Sequence, residues 1–119
     1  MEQGTRLEKQ GHSLLWILQA SSGVLLVILV FLHMIAHHFT AGKLLTYEDV
    51  VAYLSNPVVL ALETLFLITV TFHALAGVRS VVLDLGLNDD QDRRLTRVLW
   101  IAGTLMVIYG IGLTLYITA

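Results

Sequence analysis

Residues 58–83, VVLALETLFLITVTFHALAGVRSVVL, form an apolar run with few polar interruptions. About 20 such residues suffice to cross a hydrocarbon core of roughly 30 Å as a helix. Two further runs of similar length lie at residues 14–39 and 99–117, and only 13% of the chain is charged. The sequence therefore predicts an all-α integral membrane protein, with three transmembrane helices in one domain over residues 1–119.

The composition excludes several classes of protein. The chain contains no cysteine, which rules out disulfides, Cys-ligated iron–sulfur clusters and covalent CxxCH haem attachment within it. A net charge of −2 gives no indication of a nucleic-acid partner. The N-terminal MEQGTRLEKQGH lacks the layout of a signal or transit peptide. We therefore expect the first run to be a retained helix in a prokaryotic inner (plasma) membrane.

The basic residues predict the topology. Among the basic residues, the link between the first two runs contains only Lys43. The others precede the first run or cluster around the second link: Arg6, Lys9, Arg79, Arg93, Arg94 and Arg97. Since basic residues mark the cytoplasmic side, we expect a cytoplasmic N-terminus and an outside C-terminus. Residues 46–54, TYEDVVAYL, suggest a short interfacial helix, Asn56-Pro57 the start of the second span, and residues 88–92 a polar link.

Two histidines lie inside separate spans, His33 in the first and His73 in the second. A titratable side chain in a bilayer is costly and suggests a function, and imidazole is a common axial ligand of haem iron. At 1.5 Å per residue, His33 is expected roughly 9 Å and His73 roughly 22 Å from the outer surface. This offset of about 13 Å is too large for one iron. The spacing predicts two haems at two depths, each shared with a second anchor subunit.

A step of 100° per residue places further candidates beside these histidines. Ser22 shares the face of His33, while Gly77, Ser80 and Asp84 share the face of His73. Gly77 would leave room for a flat macrocycle. Arg79 would reach a haem propionate by a charge-assisted hydrogen bond, although it lies off this face.

Two motifs carry a resemblance to a known family. The first is His73-x3-Gly77-x-Arg79-x4-Asp84-x-Gly86, and the second is Trp16-x2-Gln19-x2-Ser22-Gly23. Together they resemble the cytochrome b membrane-anchor subunits of succinate dehydrogenase and fumarate reductase (respiratory complex II). The resemblance implies three helices that bind haem b and pass electrons from an iron–sulfur subunit to quinone, with succinate oxidised on a flavoprotein subunit.

The same resemblance implies roles for single residues. His73 would ligate the inner haem, and His33, ten residues after Gly23, the outer one, with His38 near the outer cofactor. Trp16, Ser80 and Asp84 would lie near the quinone. The Ser and Arg that many members use at the quinone site are replaced here by Trp16 and Ala20. The main quinone contacts are therefore expected from the partner subunit.

Several alternatives stay open at this point. His37 lies one turn from His33 and competes for its ligand role, and either intramembrane histidine would serve as a packing residue in a haem-free structural anchor or small transporter subunit. HMIAHH fits the histidine box of membrane desaturases, but that chemistry needs more histidines than the five present. Glu63 would face a cavity or pack. The glycines of the third span are expected to be close-packing points: Gly103, Gly110 and Gly112. An anchor of a quinol:fumarate reductase, or of another respiratory dehydrogenase, is a further alternative.

Overall fold

The computed structural model describes residues 2–40 and 46–119 of the chain. These residues form four helices: α1 (Glu2–Thr40), α2 (Tyr47–Leu54), α3 (Pro57–Leu83) and α4 (Asp89–Thr118). Three segments are long and apolar enough to cross a membrane, Ser13–His38, Pro57–Leu83 and Asp89–Thr118. The chain is thus an all-α, multi-pass membrane protein, as predicted. The sidedness of its termini stays a prediction, and Lys43 lies outside the described residues.

The start of α2 is held by a reciprocal cap. The Thr46 hydroxyl accepts from the Asp49 amide at 3.2 Å, and the Asp49 carboxylate accepts from the Thr46 amide at 2.9 Å. Such a capping box satisfies amides that the first turn leaves without partners. The short helix expected after the first span is therefore confirmed. The start of α3 is also as expected, because the Asn56 side chain accepts from the Val58 amide with Pro57 in the first turn.

Residues 88–92 were expected to form a polar link before the third span. This expectation is wrong for all of them except Asn88, because α4 begins at Asp89. Asn88 caps α4 by accepting from the Gln91 amide at 2.8 Å, and the Gln91 side chain accepts from the Asn88 amide at 3.1 Å. Asp89, Asp90 and Asp92 already lie in the first turn, where carboxylates are stabilised by the positive end of the helix dipole. The turn before it uses Gly86 at φ +87°, a conformation that glycine adopts without strain.

Helix α3 is central and packs against both α1 and α4. Two glycines of α4 allow a close approach, because a Cβ on Gly103 would lie 2.6 Å from Leu75 Cδ1 and one on Gly110 would lie 2.6 Å from Leu67 Cδ2. Both were expected to be close-packing points. For Gly112 the expectation is wrong within this chain, since a Cβ there would have no atom within 4 Å.

The interior of the bundle is small. The bundle measures 59 × 25 × 23 Å. Among the described residues, the one buried hydrophobic side chain is Leu29 at 2% exposure, and Ser22, Thr69 and Thr71 are the buried polar ones. Most large apolar side chains point outward. In a membrane protein such side chains are covered by lipid or by other subunits, so the helices expose their apolar surface to those neighbours.

Candidate functional site

The contact between α1 and α3 contains two polar clusters at two levels. We call the first the Ser22–His73 cluster (Gln19, Ser22, Gly23, His73, Gly77) and the second the His33–Glu63 cluster (His33, His37, Tyr53, Glu63, Phe66). Ten residues of α3 separate Glu63 from His73, which is roughly 15 Å at the helical rise. The two histidines therefore lie at two depths.

In the Ser22–His73 cluster, a hydroxyl group holds the imidazole. Ser22 Oγ lies 3.0 Å from His73 Nδ1 and donates to the Gln19 carbonyl oxygen at 2.8 Å. A serine hydroxyl has one proton, so the bond to His73 runs from Nδ1–H to Oγ. This network places the histidine proton on Nδ1 and leaves the Nε2 lone pair as the one that a metal would take.

Two glycines let the side chains of this cluster fit between the helices. A Cβ at Gly23 would come within 3.2 Å of His73 Cε1, and a Cβ at Gly77 within 3.4 Å of Gln19 Nε2. The His73 ring therefore lies directly on the backbone of α1. The space beside Gly77, which we expected to admit a macrocycle, faces the Gln19 amide in the chain alone.

Gln19 leaves this cluster incomplete. Its Nε2 donates to the His73 carbonyl oxygen at 3.4 Å. Its Oε1 is buried and has no hydrogen-bond partner among the described residues. Buried polar atoms in native proteins nearly always have a partner. Gln19 Oε1 is thus an exception to this rule within the described residues.

In the His33–Glu63 cluster, a carboxylate holds the imidazole. His33 Nδ1 lies 2.7 Å from Glu63 Oε1, and the His33 ring stacks on Phe66 with a centroid distance of 5.2 Å. An ionised carboxylate only accepts hydrogen bonds, so His33 donates from Nδ1 and again keeps Nε2 for a metal. Ligating histidines commonly donate their other N–H to a carboxylate in this way.

Helix α2 supplies one side of the His33–Glu63 cluster. The Tyr53 hydroxyl donates to the same Glu63 Oε1 at 2.6 Å. Burial, and then Glu63, raise the pKa of the Tyr53 phenol well above its usual value, so the hydroxyl stays protonated and remains a donor. His37 packs between the rings of Tyr53 at 4.8 Å and His33 at 4.3 Å.

The His33–Glu63 cluster also has the donor set of a divalent-metal site. One ligand atom from each of His33, His37 and Glu63 lies within 4.8 Å of the other two. Two imidazoles and a carboxylate are a known ligand set for zinc. His37, Tyr53 and Glu63 border a cavity of about 460 Å³ between α2, α3 and α4. Both a metal ion and a haem iron are chemically compatible with His33 here.

Arg79 joins α3 to α4. Its Nε donates to Thr96 Oγ1 at 3.0 Å and its Nη2 to the Asp92 carboxylate at 3.1 Å. The guanidinium thus packs against α4, and the structure does not bring it into the Ser22–His73 cluster. Arg79 is therefore paired with Asp92 in this chain.

The residues expected near the quinone are not brought together. Trp16 is 71% exposed, Ser80 and Asp84 are exposed, and no hydrogen bond or ring contact joins these side chains within the described part of the chain. His38, which was expected near the outer cofactor, is also exposed. A separate, mostly apolar cavity of about 550 Å³ lies between α3 and α4 and is bordered by Arg79 and Trp100.

Sequence reasoning gave no role to several members of these clusters, among them Gln19, Tyr53 and Phe66, and it mispaired Ser22. Ser22 was placed with His33 by helical angle, but the antiparallel α1–α3 register puts it opposite His73. Gln19 was part of the first-helix motif and had no assigned role. It lies three residues before Ser22, on the same face, and this spacing was the available signal. Tyr53 gave no signal, because its contact depends on where α2 packs.

Comparisons with known proteins show the family of this chain. The family described as succinate dehydrogenase/fumarate reductase transmembrane subunit matches residues 5–111. A succinate dehydrogenase hydrophobic membrane anchor subunit of Archaeoglobus fulgidus is 32% identical over 100 residues, covering 84% of this chain and 86% of the relative. The same-named subunit of Thermoplasma acidophilum is 26% identical over 100 residues, covering 83% of this chain and 81% of that protein.

A bacterial relative extends this set. The succinate dehydrogenase 2 membrane subunit SdhC of Mycobacterium tuberculosis is 28% identical over 93 residues, covering 78% of this chain and 67% of the relative. No solved structure matches the chain. The match to the family spans nearly all of the three helices that carry the two clusters. The chain therefore belongs to the family of succinate dehydrogenase/fumarate reductase transmembrane subunits.

Proposed function

We propose that this chain is a haem b-binding anchor subunit of a succinate:quinone oxidoreductase. It would hold a flavoprotein subunit and an iron–sulfur subunit at a prokaryotic plasma membrane, pass electrons from the iron–sulfur subunit to quinone, and form the quinone site together with a second anchor subunit. Family membership and the names of the relatives support the anchor role. The haem and quinone roles depend on the residues of the two clusters.

The observation that carries the haem proposal is the hydrogen bond between His73 and Ser22. It fixes the proton on Nδ1 and leaves the Nε2 lone pair for iron. Gly23 holds the ring against α1 by allowing the 3.2 Å approach to Cε1. Both contacts fix the orientation of the ring before any ligand binds. This is the arrangement expected of an axial ligand.

His33 fits a second haem by the same reasoning. Glu63 accepts its Nδ1 proton at 2.7 Å, so Nε2 is again the ligating nitrogen. The offset of roughly 15 Å along α3 makes one shared iron impossible for His33 and His73. His33 and His73 would each hold one haem together with a group of the second anchor subunit. A haem with two histidine ligands has no open position and supplies one-electron transfer.

The surface of the chain supports a partner in the membrane. His73 and His33 are half-buried, and the apolar side chains on α1 and α3 point outward. A second subunit packed on this surface would bury both histidines. Trp16, Ser80 and Asp84, which are exposed here, would then contribute to the quinone site.

A difference spectrum tests the haem proposal. The intact complex, purified with its partner subunits, is expected to show a b-type band in a reduced-minus-oxidised spectrum. The absence of such a band in a complex with full flavin content would contradict haem binding and leave the haem-free structural anchor. Assays of succinate oxidation and of fumarate reduction separate a succinate-oxidising enzyme from a fumarate-reducing one. This chain would serve either enzyme with the same residues.

Two histidine variants test the assignment. His73→Ala and His33→Ala are each expected to remove about half of the haem, because each histidine serves one site. Leu105→Ala, a truncation at an exposed position of α4, is the control and should leave the haem content unchanged. Removal of all haem by either variant in an assembled complex, or removal of none by His33→Ala, contradicts the assignment.

A further inference from the structure

In the proposed function Glu63 serves only to accept the Nδ1 proton of His33, although a carboxylate in a membrane-spanning helix is costly. Its side chain is 18% exposed. Its Oε1 accepts both hydrogen bonds, from His33 Nδ1 at 2.7 Å and from the Tyr53 hydroxyl at 2.6 Å. The charge is thus held against one ring nitrogen of a candidate ligand.

Tyr53 connects this carboxylate to the surface helix. It lies on α2, outside the three spans, and α2 packs against α3 and α4. The phenol donates to Glu63 at 2.6 Å, and its ring also packs against His37 of α1 at 4.8 Å. Two donors from two different helices therefore fix the position of one oxygen atom.

We propose that Glu63, held by Tyr53, is a positioning residue that orients His33 and lowers the reduction potential of the haem that His33 binds. This inference depends on the proposed function. A carboxylate on Nδ1 raises the basicity of a ligating imidazole and fixes its tautomer. A more basic ligand donates more charge to iron and stabilises the ferric state.

The same contact selects between the two candidate ligands of the first span. Glu63 hydrogen-bonds to His33, whereas His37 contacts the His33 and Tyr53 rings. The Glu63 hydrogen bond fixes the tautomer of His33. We therefore take His33 as the residue that would bind the iron.

Replacing the carboxylate is the first experiment. In the intact complex, Glu63→Gln is expected to keep both haems and to raise the potential of one component in a redox titration. We expect a roughly tenfold change in its reduction equilibrium, which is about 59 mV for one electron. The control is Glu48→Gln, which removes an exposed acid on α2 and should shift neither component.

The sign of a second variant separates charge from structure. Tyr53→Phe leaves the whole carboxylate charge facing His33, so it is expected to lower the potential of the same component. Its control is Tyr47→Phe, since Tyr47 is 68% exposed. A purely structural role, in which either change loosens the cluster, would move Glu63→Gln and Tyr53→Phe in the same direction and overturn the inference.

The remaining outcomes distinguish failure of this inference from failure of the proposed function. Retained haem with an unshifted potential in Glu63→Gln overturns the positioning role and leaves the proposed function standing. Absence of haem from the unmodified complex overturns the proposed function itself. If Glu63→Gln loses the haem, Glu63→Asp is expected to restore it because it keeps the charge, and loss in both assembled variants counts against the inference.

Discussion

The two clusters between α1 and α3 hold a histidine in different ways. In the Ser22–His73 cluster, a neutral hydroxyl fixes the ring and glycine lets it lie on the helix backbone. In the His33–Glu63 cluster, a carboxylate, a stacked phenyl ring and the His37 ring contact the imidazole, and a tyrosine from α2 holds the carboxylate. One site thus depends on close helix packing, and the other on charge and a surface helix.

This difference has a consequence for how each site responds to change. Close packing is sensitive to added volume, because interiors have few voids. A charged contact is sensitive to loss of the charge and of the groups that hold it. A change at one cluster should therefore leave the other unaffected.

The largest effect is expected from added volume at Gly23. A Cβ there would lie 3.2 Å from His73 Cε1, and the two extra methyl groups of Gly23→Val would push the ring away from its position. We expect loss of about half of the haem, measured in the purified complex, with the His33 component retained.

Gly112→Val is the matched control, because a Cβ at Gly112 has no neighbour within 4 Å. It is expected to keep the full haem content unless this face packs on a partner. Equal loss of both haem components in Gly23→Val would show that the two clusters are not independent.

An intermediate effect is expected from the contact that joins α3 to α4. The Arg79 and Asp92 side chains are 21% and 33% exposed, so Asp92→Asn should cost about 1 kcal/mol, measured as a lower melting temperature of the complex. Haem content should not change. Arg79→Gln should cost a similar amount if its role is this ion pair alone. A selective loss of haem in Arg79→Gln, but not in Asp92→Asn, would instead support the predicted propionate contact.

The smallest effect is expected at the cap of α2. The backbone amide of Thr46, and then its hydroxyl, lower the pKa of Asp49 below 3.8. A carboxyl group whose pKa is lower in the folded chain stabilises the fold at pH values above its pKa in the unfolded chain. This stability is lost as the pH falls through the pKa of the folded chain. Asp49→Ala should mimic that loss at neutral pH, with faster amide hydrogen exchange confined to α2.

Because α2 supplies Tyr53, a small potential shift of the His33 component should accompany this faster exchange, with none for the His73 component. The neighbouring Glu48→Ala keeps the capping box and serves as the control. A shift of the His73 component of equal size would contradict the separation of the two clusters.

The three spans were predictable because hydropathy alone marks them. The start of α4 was not, since a helix continues through polar residues when a cap and acidic side chains stabilise its first turn. Asn88 and Gln91 form that cap, so Asp89–Asp92 belong to the helix.

The candidate site was predictable in part. The depths of His33 and His73 follow from counting residues along antiparallel helices. The partners of the histidines do not, because helical angle gives a face but not the register of the neighbouring helix. Ser22 thus faces His73, and Tyr53 reaches Glu63 only through the packing of α2.

The haem content per flavin of the intact complex tests the central claim most directly. If His33 and His73 are two half-sites that a partner subunit completes, pyridine haemochrome and flavin assays should give two haems b per flavin. A complex with full flavin content and no haem would contradict the account, and one haem per flavin that survives His33→Ala would contradict the second half-site.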